Sequence, residues 1–141
     1  MMKKIDINLL KKYLETNICP ILIEDINHDI FEDAIVLDSN CDLNDLNGHY
    51  EGINFMPPRW YQRLINNSNK NYSILLIDKI NSISLKEQGK FNEILKYRKV
   101  STFDLPKNCR IIVTCTDLEH NPISEEVLSL LSYIKEENDE C

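Results

Sequence analysis

Three apolar runs in this sequence end in residue types that can do chemistry. Ile74-Leu75-Leu76-Ile77 runs into Asp78-Lys79, Ile111 to Cys115 runs into Thr116-Asp117, and Ile21-Leu22-Ile23 runs into Glu24-Asp25. A carboxylate at such a point can hold a divalent cation or accept a proton from an attacking water, so Asp25, Asp78 and Asp117 are candidate residues of a metal-dependent hydrolase. The same placement also caps a loop with no chemistry attached, and many parallel strands end in Asp for that reason. A second group, Arg59, Trp60, Tyr61 and Arg63, interleaves basic and aromatic side chains that can stack on a base or a peptide side chain. Trp60 has the plainer reading of a core residue, because a helix must bury one face. Lys96, Arg98 and Lys99 form a basic cluster open to an acidic partner, or equally a solvated helix end where cations are favoured.

Cysteine and histidine chemistry finds no support in the spacing. Cysteines stand at 19, 41, 109, 115 and 141, an odd number without a Cys-x-x-Cys pair, and read as reduced thiols. Cys115 lies within an apolar run, where a thiol behaves as a small hydrophobe. His28, His49 and His120 sit apart in polar surroundings and read as surface positions. No metal ligand set is expected, and Asp78 is the residue to hold an ion if one binds.

The elements that would position these residues alternate. Ile7, Leu10, Tyr13 and Leu14 recur at helical spacing over residues 6–16. Strands are expected at 20–24, 34–37, 72–78 and 110–115, with a short last one at 132–135. Residues 38–55, rich in Asn, Asp and Gly, read as an irregular loop, and Pro57-Pro58 opens a helix through Trp60, Leu64 and Ile65. Ser84 with Glu87 three residues on has the pattern of a capping box and starts a helix through Leu95; 100–105 reads as extended; Ser124 caps a helix through Leu131. Apolar strands alternating with helices predict a single α/β domain, a three-layer sandwich with a mainly parallel sheet of about five strands. Residues 1–18 are expected to carry the N-terminal helix, 19–135 the core, and 136–141 a frayed acidic tail. Ligands in such sheets gather at the carboxyl ends of the strands.

Composition sets limits. The chain has 141 residues, 43% hydrophobic and 28% charged, a globular balance for one domain. A net charge of −7 argues against binding driven by phosphate backbones, so nucleic acid is not the expected partner. No apolar run spans a bilayer and the N-terminus lacks a signal-peptide stretch, so no membrane partner is expected and the cytoplasm is the expected compartment.

The stretch from Ile74 to Leu130 resembles AAA+ ATPases of the MoxR and dynein-related type. It carries Ile-Leu-Leu-Ile-Asp-Lys-Ile-Asn, a helix ending Phe-Asn-Glu-Ile-Leu-Lys-Tyr-Arg-Lys-Val, the segment from Leu105 to Asp117, and His120-Asn-Pro-Ile-Ser-Glu-Glu-Val-Leu. These look like the Walker B strand, the helix and hairpin after it, and the sensor-1 strand. Cys41 to Tyr50 and Phe55 to Trp60 resemble the segments that precede them, so the resemblance spans about residues 19 to 135 and implies the P-loop NTPase type of core. The departures bear on activity. Where the family has Gly-x-x-x-x-Gly-Lys-Ser/Thr after the first strand, residues 24–31 read Glu-Asp-Ile-Asn-His-Asp-Ile-Phe, with no glycine, lysine or hydroxyl and with three carboxylates that repel a triphosphate. Gly48, Gly52 and Gly89 are the only glycines, so no other segment supplies a phosphate loop.

The Walker B aspartate matches Asp78, but Lys79 replaces the glutamate that polarises water in active relatives, and a protonated lysine accepts no proton. Thr116 stands at the sensor-1 position with Asp117 after it. Leu128-Ser129-Leu130-Leu131 stands where the family often has an arginine finger, and the sequence closes before a lid domain. The expectation is a catalytically inactive AAA+-like domain, a pseudo-ATPase used for protein interaction or regulation. It needs no cofactor, and its expected partner is an AAA+ ATPase subunit or a second copy of itself, contacted through Arg59, Trp60, Arg63, Lys96, Arg98 or Lys99. The alternative is a metal- or nucleotide-dependent hydrolase, weakly using ATP and Mg²⁺, with an atypical phosphate site at Asp78. It requires Asp25, Asp78 and Asp117 to converge, whereas the first reading has Lys79 filling or blocking the pocket.

Overall fold

Branched aliphatic residues dominate four short segments, at 21–23, 35–37, 74–77 and 111–113, and a sheet of these segments covered on both faces removes that apolar surface from water. The computed structural model describes residues 7–16, 19–27, 29, 31, 33–66 and 72–134. In chain order the elements are α1 (Ile7–Thr16), β1 (Ile21–Glu24), β2 (Ile35–Asp38), α2 (Leu43–Asn47), β3 (His49–Glu51), β4 (Asn54–Met56), α3 (Arg59–Asn66) and β5 (Ser73–Asp78). They continue with α4 (Leu85–Gln88), α5 (Asn92–Tyr97), β6 (Lys99–Val100), β7 (Phe103–Asp104), β8 (Cys109–Cys115), α6 (Glu125–Ser129) and β9 (Ser132–Ile134), with 3₁₀ turns at Ile80–Ser82 and Gly89–Phe91. The expected tail at 136–141, the ends of the expected 1–18 unit and His28 lie outside the described residues. Among those described, no helix is long and apolar enough to cross a membrane.

The sheet is five-stranded, in the order β2-β5-β8-β1-β9, and every pairing in it is parallel. Its register sorts the side chains by face. Leu37, Ile77, Val113 and Leu22 stand level across the sheet and all enter one core, while Leu76, Ile112 and Ile21 stand one residue lower and enter the other. The first face is covered by Leu46 of α2, Trp60 and Leu64 of α3, Ile94 and Leu95 of α5, and Val127 of α6; the second by Leu10 and Leu14 of α1 with Phe31. The result is the three-layer α/β sandwich that the alternating pattern predicts. β8, in the middle, is buried at all seven positions, and each of its aliphatic side chains gains about 1.5–3 kcal/mol from leaving water.

Polar contacts fix the edges. Arg110, at the foot of β8, donates from Nε to Leu14 O and from Nη2 to Glu15 O, so a cation meets the carboxyl end of α1. Ser84 caps α4 by accepting from Glu87 N at 3.2 Å. The buried Gln88 donates to Ile83 O and Pro122 O and accepts from Ser124 N, which ties α4 to the start of α6.

Two expected segments differ from the structure. Residues 38–55 are ordered, not an irregular loop. Asp42 accepts from Asp45 N at 2.8 Å and caps α2, and Gly48, at φ 91, stops it. Gly52, at φ 63, closes the β3–β4 hairpin over Gly52-Ile53, the position glycine takes in type II′ turns. Residues 100–105 are not one extended strand but the β6–β7 hairpin, turned by Ser101 at φ 56. In both places turn chemistry outweighed composition. The hairpins then pack on one another through Phe55 and Phe103, whose rings stack at 5.9 Å, and Tyr61 follows at 5.5 Å from Phe103.

The two hairpin glycines carry different constraints. A Cβ on Gly48 would lie 2.4 Å from Met56 O, whereas one on Gly52 meets nothing within 4 Å. In urea unfolding, Gly48→Ala is expected to lose about 3 kcal/mol or more, and Gly52→Ala about 1 kcal/mol. Equal losses would mean that the backbone angle alone, and not the contact with Met56, fixes Gly48.

Candidate functional site at the carboxyl edge of the sheet

β1 and β8 are neighbours, yet the chain leaves them in opposite directions. From β1 it runs to β2 at one edge of the sheet, and from β8 it passes β1 to reach β9 at the other. Such a divergence opens a crevice outside the carboxyl ends of the two strands, the usual ligand position in open α/β sheets. A depression of about 680 Å³ lies there, lined by Asp25, Ile26, Asn27, Asp29, Asp78, Lys79 and Thr116. The fold has therefore brought together Asp25 and the residues after it from the link that follows β1, Asp78 and Lys79 at the end of β5, and Thr116 after β8.

Each strand end is held by a specific bond. Thr114, buried in β8, donates its hydroxyl to Asp78 Oδ1 at 2.8 Å and accepts from the backbone N of Lys79, also at 2.8 Å. Asn81, buried in the following 3₁₀ turn, donates Nδ2 to Thr116 O and Asn121 O and accepts from Thr116 N at 3.2 Å, so one amide clamps the loops after β5 and β8 together. Asp25 N donates to Cys115 O at 2.9 Å. Among the described residues five non-glycine positions have positive φ, and three of them, Asp25, Lys79 and Asp117, directly follow β1, β5 and β8 or stand one residue beyond. An aspartate tolerates that region, whereas a lysine is held there at about 1–2 kcal/mol. The bonds around Thr114 and Ser39, whose hydroxyl donates to Lys79 O at 2.9 Å, supply the restraint.

The carboxylates do not all meet. Asp25, Asp29 and Asp78 line the depression with Lys79 as the one cation of its lining. Asp117 instead pairs with His120 Nδ1 at 2.7 Å and accepts from Asn121 Nδ2. Among the described residues no three His, Cys, Asp or Glu side chains lie close enough to share a metal ion. The convergence of Asp25, Asp78 and Asp117 on which the hydrolase reading depends is thus not what the fold produces.

The link from β1 to β2 limits what this crevice can hold. It has ten residues, 25–34. Its ends lie three strand spacings of ~4.8 Å apart across the sheet and ~13 Å apart along it, a straight-line distance of about 19 Å that takes roughly six extended residues at the least. Too little chain remains for a phosphate loop and the helix whose N-terminus would face a phosphate. The face that this helix would cover is occupied by α1, which comes before β1 in the chain.

The other candidates divide. Arg59 and Arg63 are exposed on α3 and border a second depression of about 810 Å³ with His49, Glu51 and Gln62. Trp60 is only 6% exposed, and its Nε1 donates to Leu46 O at 3.0 Å, so it serves the core and is removed from the partner-facing set. Lys96 is exposed, Lys99 pairs with Asp104 at 3.4 Å, and Arg98, at the left-handed end of α5, donates to Pro106 O and Cys109 O. Two of the three therefore hold the hairpin in place. Burial pushes the Cys115 thiol up to about 12 and that of Cys109 to about 11, so neither is a nucleophile at neutral pH. Thr114 and Asn81, which organise the site, were not singled out from sequence. The available signal was a polar residue inside an aliphatic strand and an amide two residues beyond Lys79.

No family model matches the chain, and no curated protein is detectably similar to it.

Two measurements test this geometry. Thr114→Val keeps the shape but strands Asp78 and Lys79 N without their partner, and is expected to cost about 1–3 kcal/mol in urea unfolding, with Thr114→Ser recovering most of it. The second concerns Tyr133 of β9, which donates to Glu24 at 2.6 Å; that bond, followed by burial, raises its phenol from the ordinary value near 10 to about 12. The folded chain keeps this proton longer than the unfolded chain does. The stabilisation is complete below pH 10 and is lost as pH rises towards 12. Across that window, stability measured by urea titration is expected to fall less steeply for Tyr133→Phe than for the wild type.

Proposed function

We propose that this chain is an AAA+-like domain without nucleotide chemistry, serving in the cytoplasm as a protein-interaction or regulatory module. Its partner is an active AAA+ subunit or a second copy of the chain. The observation that carries the reading is the crevice itself. Asp78 and Thr116, matched by resemblance to the Walker B and sensor-1 positions, stand beside β1 at the strand edge where a nucleotide would sit. The ten-residue link there offers Asp25 and Asp29 in place of amide donors, a lysine and a hydroxyl. Lys79 follows Asp78 where active members of the resembled family carry a glutamate that polarises a water.

With phosphate chemistry set aside, the surface remains. Arg59 and Arg63 lie one turn apart on α3, and Lys96 is exposed on α5, so a net acidic chain keeps basic positions for an acidic partner surface. Calorimetric titration with Mg-ATP and Mg-ADP, at concentrations that detect millimolar binding, tests the proposal. The expected result is heat of dilution only. Saturable one-to-one binding that is lost in Asp78→Asn would overturn it and restore the hydrolase reading.

A further inference from the structure

Asn47-Gly48 is the one Asn-Gly pair in the sequence. In an unconstrained chain this pair is labile. The glycine nitrogen attacks the asparagine side-chain carbonyl, a ring N–C bond forms, the bond to the side-chain nitrogen breaks, and the glycine proton leaves with it as ammonia. Water then opens the succinimide to aspartate or isoaspartate, with no oxidant or reductant involved.

The fold both requires this pair and restrains it. Gly48 adopts φ 91, and any Cβ there would collide with Met56 O at 2.4 Å, so no other residue fits after Asn47. The attacking nitrogen is engaged, because Gly48 N donates to Asn44 O at 2.9 Å as the cap of α2. Asn47 is the last helical residue, and its carbonyl accepts from Ser101 Oγ at 2.8 Å, which fastens it to the β6–β7 hairpin. In this backbone the Gly48 N–H is directed to Asn44 O. α2 has only five residues, and its N-terminus depends on Asp42, so opening this one turn is enough to release the pair.

We propose that Asn47-Gly48 is a deamidation site that the native fold holds closed and that opening of α2 exposes. Isoaspartate formation inserts an extra carbon into the backbone between Asn47 and Gly48. It displaces the Gly48 turn against Met56 and the bond from Ser101, so a modified chain loses the seat of both hairpins and does not return to the native state. The site is independent of any nucleotide or partner chemistry.

The test uses the full-length protein in mildly alkaline buffer, with and without urea. It follows ammonia-for-water exchange by mass spectrometry of the peptide containing Asn47 and isoaspartate by enzymatic methylation. The reaction is expected to run at least about tenfold faster in urea than in native buffer. Asp42→Ala, which removes the cap of α2, is expected to raise the native-buffer rate about fivefold, and Asn47→Asp releases no ammonia from this peptide. Equal rates in native buffer and urea overturn the proposal. So does an Asp42→Ala protein that remains folded by circular dichroism and reacts no faster than the wild type.

Discussion

The structure depends on the complete burial of β8. A strand with apolar contacts on both faces and a parallel neighbour at each edge cannot tolerate a slip in register, because a shift of one residue would exchange the two cores. With β8 fixed, β5 and β1 must align their ends with it, and Asp78, Lys79, Glu24 and Asp25 come to the same edge as Thr116. The crevice is thus a consequence of how the hydrophobic rows match. Thr114 shows the coupling most directly, since it occupies a core position of β8 while its hydroxyl holds both Asp78 and the backbone of Lys79.

The same arrangement separates scaffold from chemistry. A divergence of connections between neighbouring strands is enough to form a ligand crevice, whatever residues line it. Here the lining brings three aspartates and a lysine together. α1 takes the layer that a helix after β1 would otherwise fill, and Arg110 secures it from beneath the sheet. The three-layer core is therefore complete with α1, and not a helix after β1, on the second face.

Polar side chains at the strand ends set the backbone there. Lys79 sits in the left-handed region because Thr114, Ser39 and the turn beyond it hold it on both sides, and Asn81 binds the two loops that follow β5 and β8. These bonds tie the ends of β5 and β8 to each other at the crevice edge. The exposed Arg59, Arg63 and Lys96 stand on helices anchored to the first face of the sheet by Trp60, Leu64, Ile94 and Leu95.

The apolar runs at 21–23, 74–77 and 111–115 determined by themselves that strands would form and that they would be buried on both faces, because such runs have no polar side to leave in water. The helix at 59–66 was legible for the related reason that its apolar residues recur at a single spacing, whereas the one helix expected from Ser84 through Leu95 is divided by the 3₁₀ turn at Gly89–Phe91 into α4 and α5. Residues 38–55 and 100–105 were not legible as hairpins, since their order comes from capping by Asp42, positive φ at Gly48, Gly52 and Ser101, and ring stacking between Phe55 and Phe103, which are distant in sequence. That residues 24–31 carry no glycine, lysine or hydroxyl could be read directly, as it is a matter of residue type. Which carboxylates share the crevice was decided by tertiary structure alone. Asp25, Asp78 and Asp117 each follow an apolar strand, and only the register of β1, β5 and β8 with the turn at His120 places the first two in one depression and directs the third to His120 instead.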